Sequence, residues 1–144
     1  SRFSAKERRY TYLIRNDVSP SVINFNREWH LKKKINVDLM KKGAKKLIGT
    51  HDFSTFRASN CAANSPVRTM KKVKITKVKN VIKIQFVSKS FLKSQVRSMV
   101  GSLKYLGENK WNLKKFTSIF KSKSRKNCAP IAPAHGLYLE KIIY

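Results

Sequence analysis

The order of the hydrophobic patterns along this chain constrains its fold more than any other feature of the sequence. Stretches in which apolar and polar residues alternate, as in half-buried strands, are interleaved with stretches in which apolar residues recur every three or four positions, as in amphipathic helices. The order is strand, helix, strand, strand, helix, strand. It predicts an α+β, ferredoxin-like β-α-β-β-α-β fold, with an antiparallel four-stranded sheet and the helices packed on one face.

The four strands are predicted from alternation with a period of two. In the first strand, Tyr10, Tyr12 and Ile14 share one face. Alternation on both sides of Lys79 and Asn80 predicts that the second and third strands form a hairpin. The predicted strands cover residues 9–15, 73–75, 82–86 and 137–144.

The helices are predicted from apolar stripes with suitable residues at their ends. Asp38 is the expected N-cap of the first helix, which Gly49 ends in a left-handed conformation. Ser90 is the expected N-cap of the second helix, which ends at Gly107. A shorter helix is predicted at 113–120.

The long connections show no sustained period. Residues 16–36 and 51–68 are rich in turn-forming residues and are predicted to be irregular, with Trp29 anchoring the first of them to the core. Cys61 and Cys128 lack the spacing of a zinc site or a disulfide scaffold, so both are predicted to be free, buried thiols.

The charge of the chain indicates a polyanionic partner. There are 33 Lys and Arg against 7 Asp and Glu, a net charge of +26 spread over the whole length. Because 41% of the residues are hydrophobic, the chain is expected to fold, so the folded body itself is cationic and suits structured RNA. Lys outnumbers Arg by 24 to 9, however, and drift toward AT-rich codons is an alternative source of part of this charge.

Length and composition predict one soluble, cytoplasmic domain over residues 1–144. No apolar run is long enough to span a membrane, and the start lacks the pattern of a signal peptide. The chain begins at Ser1 rather than Met, so it is expected to be part of a longer protein.

Several classes of function are disfavoured. The glycines form no phosphate-binding loop, and His30, His51 and His135 have no neighbouring metal ligands or nucleophilic serine in the sequence. An RNA-recognition motif would have the same strand order, but residues 81–87 lack its glycine and base-stacking aromatics.

Four segments combine basic groups with aromatic or apolar neighbours: RFSAKERRYTY (2–12), HDFSTFRA (51–58), FLKSQVRSMVG (91–101) and APIAPAHGLYL (129–139). In this order and at these intervals they resemble the C-terminal half of the bacterial tRNA pseudouridine synthase A family. The resemblance covers the whole chain. It implies an isomerase that detaches uracil from its ribose, turns it and reattaches it through a carbon in the tRNA anticodon arm, without cofactor or metal.

The resemblance also implies that the essential aspartate lies elsewhere. In the family it belongs to an R-T-D-A-G motif of an N-terminal catalytic domain, and this chain has no such motif. The chain would then form the second wall of the active-site cleft and be inactive alone. Tyr10 would stack on the base and assist proton removal, and Arg97, at the border of the helical stripe, would hold the aspartate ionised. The alternatives are that Tyr10 belongs to a buried aromatic face of its strand and that Arg97 is a surface arginine of its helix.

Further substrate contacts are implied at five positions. For Leu137, ordinary core packing is an equal explanation, and for Phe53, Phe56 and Arg57 the alternative is loop anchoring. Leu137 would pack on the uracil, Phe53 and Phe56 would line or support the cleft, Arg57 would contact a phosphate, and Arg9 would help to bind the substrate.

The chain also departs from the family, whose members commonly have histidines and a methionine where Lys93, Ser94 and Gln95 stand. The implied partners are tRNA, the protein's own N-terminal catalytic domain and a second subunit of a homodimer. The alternatives are a non-catalytic basic RNA-binding module and a structural domain that docks through its sheet edge.

Overall fold

A computed structural model describes residues 5–18 and 27–144 of the chain. Within these residues the chain forms six strands and three α-helices. In chain order they are β1 Glu7–Asn16, β2 Trp29–Leu31, α1 Val37–Leu47, β3 Gly49–Asp52, β4 Val67–Val78, β5 Val81–Ser88, α2 Gln95–Gly107, α3 Leu113–Lys121 and β6 Leu137–Ile143. The start of the first quoted segment (residues 2–4) and residues 19–26 of the first predicted connection lie outside the described residues.

The sheet has the strand arrangement expected of a ferredoxin-like fold, with two additions. Strands β6, β1, β5 and β4 lie side by side and antiparallel, and α1 and α2 supply the crossovers. Strand β2 pairs in parallel with the end of β1, and β3 pairs with the outer edge of β4. The predicted α+β class is confirmed, although the sheet is mixed rather than purely antiparallel.

The two additional strands correct the prediction that both long connections are irregular. Strand β2 has three residues and β3 has four, which is too short to show a period of two in the sequence. Trp29, in β2, anchors the first connection as predicted, since its ring lies edge-on to the buried ring of Tyr12 with 6.1 Å between centroids.

The start of α1 was predicted at the wrong residue. Asn36 is the N-cap, because its side-chain oxygen accepts a hydrogen bond from the backbone N–H of Leu39 at 3.0 Å. Asp38 lies in the first turn, where its charge favours the positive end of the helix dipole. Gly49, just beyond α1, has the predicted positive φ, +104°.

The start of α2 was also predicted too early. The helix begins at Gln95 and not after Ser90, because Ser94 has φ +64° and interrupts the helical path. The side chain of Gln95 then accepts a hydrogen bond from the N–H of Leu92 at 2.8 Å, which stabilises the preceding turn. Gly107 is the last helical residue, as predicted.

The core lies between the sheet and the helices. Tyr12 and Ile14 of β1 are fully buried there, together with Ile84 and Phe86 of the neighbouring β5. Cys61 and Cys128 are free, as predicted, but only half-buried, which corrects the expectation that they are buried. No helix in the described part of the chain is long and apolar enough to cross a membrane.

Candidate functional site

A cleft of about 310 Å³ opens where β1, β6 and the start of α2 meet. Tyr10 comes from β1, Leu137 begins β6, and residues 91–97 form the turn before α2 and its first residues. The structure therefore brings together three side chains that are far apart in the sequence, Tyr10, Arg97 and Leu137.

Tyr10 is the accessible member of the aromatic face of β1. Its ring packs edge-on against Phe91, with 5.1 Å between the ring centroids. Tyr12, two residues further, is fully buried, and its hydroxyl donates to the carbonyl oxygen of Pro133 at 2.6 Å. Burial raises the pKa of Tyr12 far above its usual range, and the charge of Arg97 offsets this only in part. Tyr10 is thus the tyrosine of β1 that can meet a ligand.

Arg97 is held in place by the segment that precedes β6. Its Nε donates to the carbonyl oxygen of Ala132 at 2.7 Å, and the N–H of Ala132 donates back to the carbonyl oxygen of Arg97 at 3.0 Å. One turn later, a Cβ on Gly101 would overlap the carbonyl oxygen of Pro130. Glycine at this position lets the helix approach the segment closely enough for both hydrogen bonds to form.

Arg97 faces the cleft without a negative partner among the residues that the structure describes. The ion pairs found there involve other cations, namely Arg9, Arg15, Lys71, Lys83, Lys104 and Lys110. A half-buried guanidinium with Nε already fixed can present its other N–H groups to a carboxylate in a defined direction. The arrangement suits an acidic group that enters the cleft from outside this chain.

Leu137 owes its position to the glycine before it. A Cβ on Gly136 would lie 2.8 Å from the ring of Tyr12, so only glycine allows the backbone to lie directly on that ring. Leu137 then pairs with Tyr12 in the β1–β6 register and lines the cleft. Leu139, by contrast, is half-exposed and does not belong to the lining.

Phe53 and Phe56, which were predicted to line the cleft or support it, do not belong to its lining, and a substrate contact for either stays a prediction. Both side chains are fully buried in the core, 0% and 1% exposed, and their rings pack against Phe120 at 5.3 and 5.5 Å between centroids. Their sequence neighbourhood forms a 3₁₀ turn, Ser54–Phe56, that points them inward. They support the fold beneath α3 rather than line the cleft.

Arg57 also lies away from the cleft lining. Its guanidinium donates to the carbonyl oxygens of Cys61 and Ala63 at 3.2 and 2.6 Å, so it closes its own loop. The next residue, Ala58, donates its N–H to the carbonyl oxygen of Lys93 at 3.0 Å. Arg57 thus acts on the cleft by stabilising a loop that supports the turn before α2.

Arg9 lies on the opposite face of the sheet from Tyr10, because adjacent residues of a strand point to opposite sides. Its Nε donates to the carboxylate of Glu7 at 2.7 Å, and it lines a second depression of about 270 Å³, to whose lining Tyr10 also contributes. Arg9 does not line the cleft, and its predicted contact with the substrate stays a prediction.

Sequence reasoning missed Phe91 and the role of Gln95. Phe91 supplies the second ring of the cleft, and the fully buried Gln95 holds the turn that carries it. The left-handed residue Ser94 creates this turn, and a serine carries no sequence signal for that conformation. Lys93 and Ser94, noted above as departures from the family, both line the cleft.

The three histidines each contact a backbone carbonyl oxygen through Nε2, at 2.8 to 3.1 Å. The pairs are His30 with Asp17, His51 with Ile48, and His135 with Glu28. Among the described residues, no group of three or more His, Cys, Asp or Glu side chains is placed to hold a metal ion.

Comparison with known proteins identifies the family of the chain. The sequence model of a family described as "tRNA pseudouridine synthase" matches residues 44–144. Over all 144 residues the chain is 60% identical to "tRNA pseudouridine synthase A" of Pelagibacter ubique, 40% to that of Sinorhizobium medicae and 41% to that of Caulobacter vibrioides. The chain spans 58% of the length of each of these relatives. This chain belongs to the tRNA pseudouridine synthase family.

Proposed function

We propose that the complete protein converts uridine to pseudouridine in the anticodon arm of tRNA, and that this chain is its C-terminal half. This proposal rests mainly on the cleft that Tyr10, Arg97 and Leu137 line together. Arg97 has no carboxylate partner there among the described residues. Among the described residues, the lining of the cleft has an aromatic wall, an apolar wall and two cations outside the ion pairs, Arg97 and Lys93, and it includes no carboxylate. An aspartate from the N-terminal half would complete it.

Each side chain has a role in this reaction. The ring of Tyr10 stacks on the uracil, and its hydroxyl assists removal of the proton from the carbon that joins the ribose. Leu137 packs on the base while it is detached and turned. Arg97 pairs with the incoming aspartate, which keeps this group ionised and oriented because a nearby positive charge favours the carboxylate form.

The proposal also covers the location, the subunit assembly and the cofactor requirement of the complete enzyme. The complete enzyme acts in the cytoplasm as a homodimer that clamps tRNA across both subunits, and it needs no cofactor because bond breaking and bond formation occur within one nucleotide. The net charge of +26 supports a polyanionic substrate.

The proposal is tested by combining the chain with the N-terminal part of its parent protein and measuring pseudouridine in an anticodon-arm transcript. Arg97→Ala should lower turnover by about 100-fold or more, because a misoriented catalytic group loses that much, while tRNA affinity is retained. Arg9→Ala removes the same charge on the opposite face of the sheet and should leave turnover near wild type. Equal turnover in both variants would remove Arg97 from the mechanism.

The charge of the chain also favours a second function, that of an RNA-binding module without catalysis. The same experiment separates the two. Tight tRNA binding with no pseudouridine in the wild-type protein would favour the binding module, whereas pseudouridine formation that depends on Arg97 would exclude it.

A further inference from the structure

A basic groove runs between α1 and α3, away from the cleft. Its main part has a volume of about 700 Å³ and lies between Lys46 of α1 and the polar face of α3. A second depression of about 250 Å³ extends it past His51 toward Lys123. The two parts share Lys46, Thr117 and Lys121 and form one continuous surface, the α1–α3 groove.

Most of the charged residues that line this groove are positive. Its lining includes four exposed lysines, Lys46, Lys114, Lys121 and Lys123, and one carboxylate, Asp52. None of these lysines takes part in the ion pairs formed by the described residues, all of which involve cations elsewhere. The groove thus carries four lysines that form no ion pair with an acidic side chain of the described part.

Asp52 offsets this charge only in part, because it is the single carboxylate in the lining. Its Oδ1 accepts a hydrogen bond from the N–H of Ser54 at 2.8 Å. Burial opposes its ionisation, but the hydrogen bonds from Ser54 and the charges of Lys123 and Arg57 outweigh burial and lower its pKa. One stable negative charge faces four positive ones, which leaves a clear excess of positive charge.

The spacing of the lysines suits an extended ligand better than a single ion. Lys114 and Lys121 are separated by seven residues, or two turns, so they lie on the same side of α3 about 10.5 Å apart along the helix axis. Ser118 lies between them in the lining and adds an exposed hydroxyl group. Repeated charges of this kind match the repeated phosphates of a nucleic acid backbone.

We propose that the α1–α3 groove binds the phosphate backbone of the same RNA whose uridine enters the cleft. The groove lies beside β3, which is three strands away from β1 in the sheet, about 14 Å at the usual strand spacing. Backbone contacts there would position the RNA without reading its sequence. The identity of the RNA as tRNA rests on the proposed function, but backbone binding does not depend on catalysis.

The test uses the complete enzyme and an unmodified tRNA transcript, with affinity measured over a range of NaCl concentrations. The groove variant is the double substitution Lys114→Gln and Lys121→Gln. The matched control is Lys41→Gln with Lys45→Gln, which removes two exposed lysines from α1 that do not line the groove. A third variant, Lys114→Arg with Lys121→Arg, keeps the charge. Thermal unfolding verifies that all variants fold.

The groove variant should bind tRNA about tenfold more weakly at low salt, and the slope of log affinity against log salt should fall by about 1.4 to 1.8 for two phosphate contacts. The tRNA affinity of the control and of the arginine variant should remain within twofold of the wild-type value. Turnover at saturating tRNA should be unchanged, because the groove is remote from the cleft. The proposal would be overturned if the groove variant and the control variant lost tRNA affinity equally, or if neither lost any.

Failure of the proposed function would look different. In that case the wild-type enzyme would form no pseudouridine, whereas the comparison of the groove variant with its control would still report on RNA backbone binding.

Discussion

At the scale of single residues, Ser94 shows how the cleft is built from an unfavourable backbone conformation. Its φ of +64° is left-handed, which costs a residue with a Cβ about 1 kcal/mol or more relative to glycine. Asn109 has nearly the same φ, +62°, but asparagine tolerates this region because its side chain bonds locally. Ser94 lies in the cleft lining, where such strain commonly accompanies ligand binding.

Ser94→Gly should therefore raise the free energy of unfolding by about 0.5 kcal/mol, since the relief of strain exceeds the added flexibility of the unfolded chain. Asn109→Gly is the matched control and should change stability little. Denaturant titration of both variants measures the difference. A loss of stability in Ser94→Gly would show that the serine side chain, and not the backbone alone, holds the turn.

The two thiols provide a second prediction at this scale. Hydrogen bonds from the N–H groups of Ala63 and Lys93, helped by the charge of Arg57, lower the pKa of the Cys61 thiol despite its partial burial. Burial raises the pKa of the Cys128 thiol, and hydrogen bonds from its surroundings offset this only in part.

Because the thiolate is the reactive form, Cys61 should be alkylated by iodoacetamide faster than Cys128 throughout the neutral pH range. As pH falls, the Cys61 rate should begin to decline at a lower pH than that of Cys128. Mass spectrometry of partially alkylated protein distinguishes the two sites. Faster labelling of Cys128 would contradict the environments described here.

At the scale of elements, the contact between α2 and the segment before β6 determines the geometry of the cleft. Gly101 allows this contact because any side chain there would overlap a backbone atom, the carbonyl oxygen of Pro130. Gly43 of α1 differs, since a Cβ there would meet the side-chain ends of Leu106 and Leu103, which can move. Both glycines lie inside helices, where alanine is intrinsically favoured by about 1 kcal/mol.

Gly101→Ala should lower the free energy of unfolding by about 1 to 3 kcal/mol, the range for overpacking, despite the better helix propensity. It should also weaken catalysis by the complete enzyme, because Ala132 would move away from Arg97. Gly43→Ala should be nearly neutral in both measurements. If the two variants behaved alike in thermal unfolding, the backbone contact at Pro130 would not control the packing of α2.

At the scale of the whole molecule, positively charged side chains greatly outnumber negatively charged ones. The ion pairs of the described residues engage six cations, whereas the full chain carries 33 Lys and Arg. A net charge of this size destabilises the compact state through self-repulsion, and salt screens that repulsion.

Raising NaCl from about 10 mM to 0.2 M, where the Debye length falls from roughly 30 Å to under 10 Å, should therefore raise the thermal unfolding midpoint of the chain. The same change should weaken tRNA binding steeply. The two opposite responses can be measured on one sample series. A midpoint that falls with salt would mean that ion pairs, rather than repulsion, dominate the stability.

The sequence by itself determined the order of the main strands and helices, the buried face of β1 and the end of α2 at Gly107. The order and the buried face follow from local periodicity, which needs no knowledge of distant residues. Gly107 ends α2 without the positive φ of a left-handed cap, which Gly49 has after α1. The four quoted segments likewise identified the family, since they depend only on residue types and intervals.

Only the tertiary structure decided which side chains of those segments are accessible. Phe53, Phe56 and Tyr10 are all aromatic residues in segments that also contain basic ones, yet the first two are buried under α3 and, of the three, only Tyr10 borders the cleft. The α1–α3 groove likewise joins lysines from separate elements. The physical reason is that burial and juxtaposition depend on packing between elements that are remote in the chain, which no local pattern encodes.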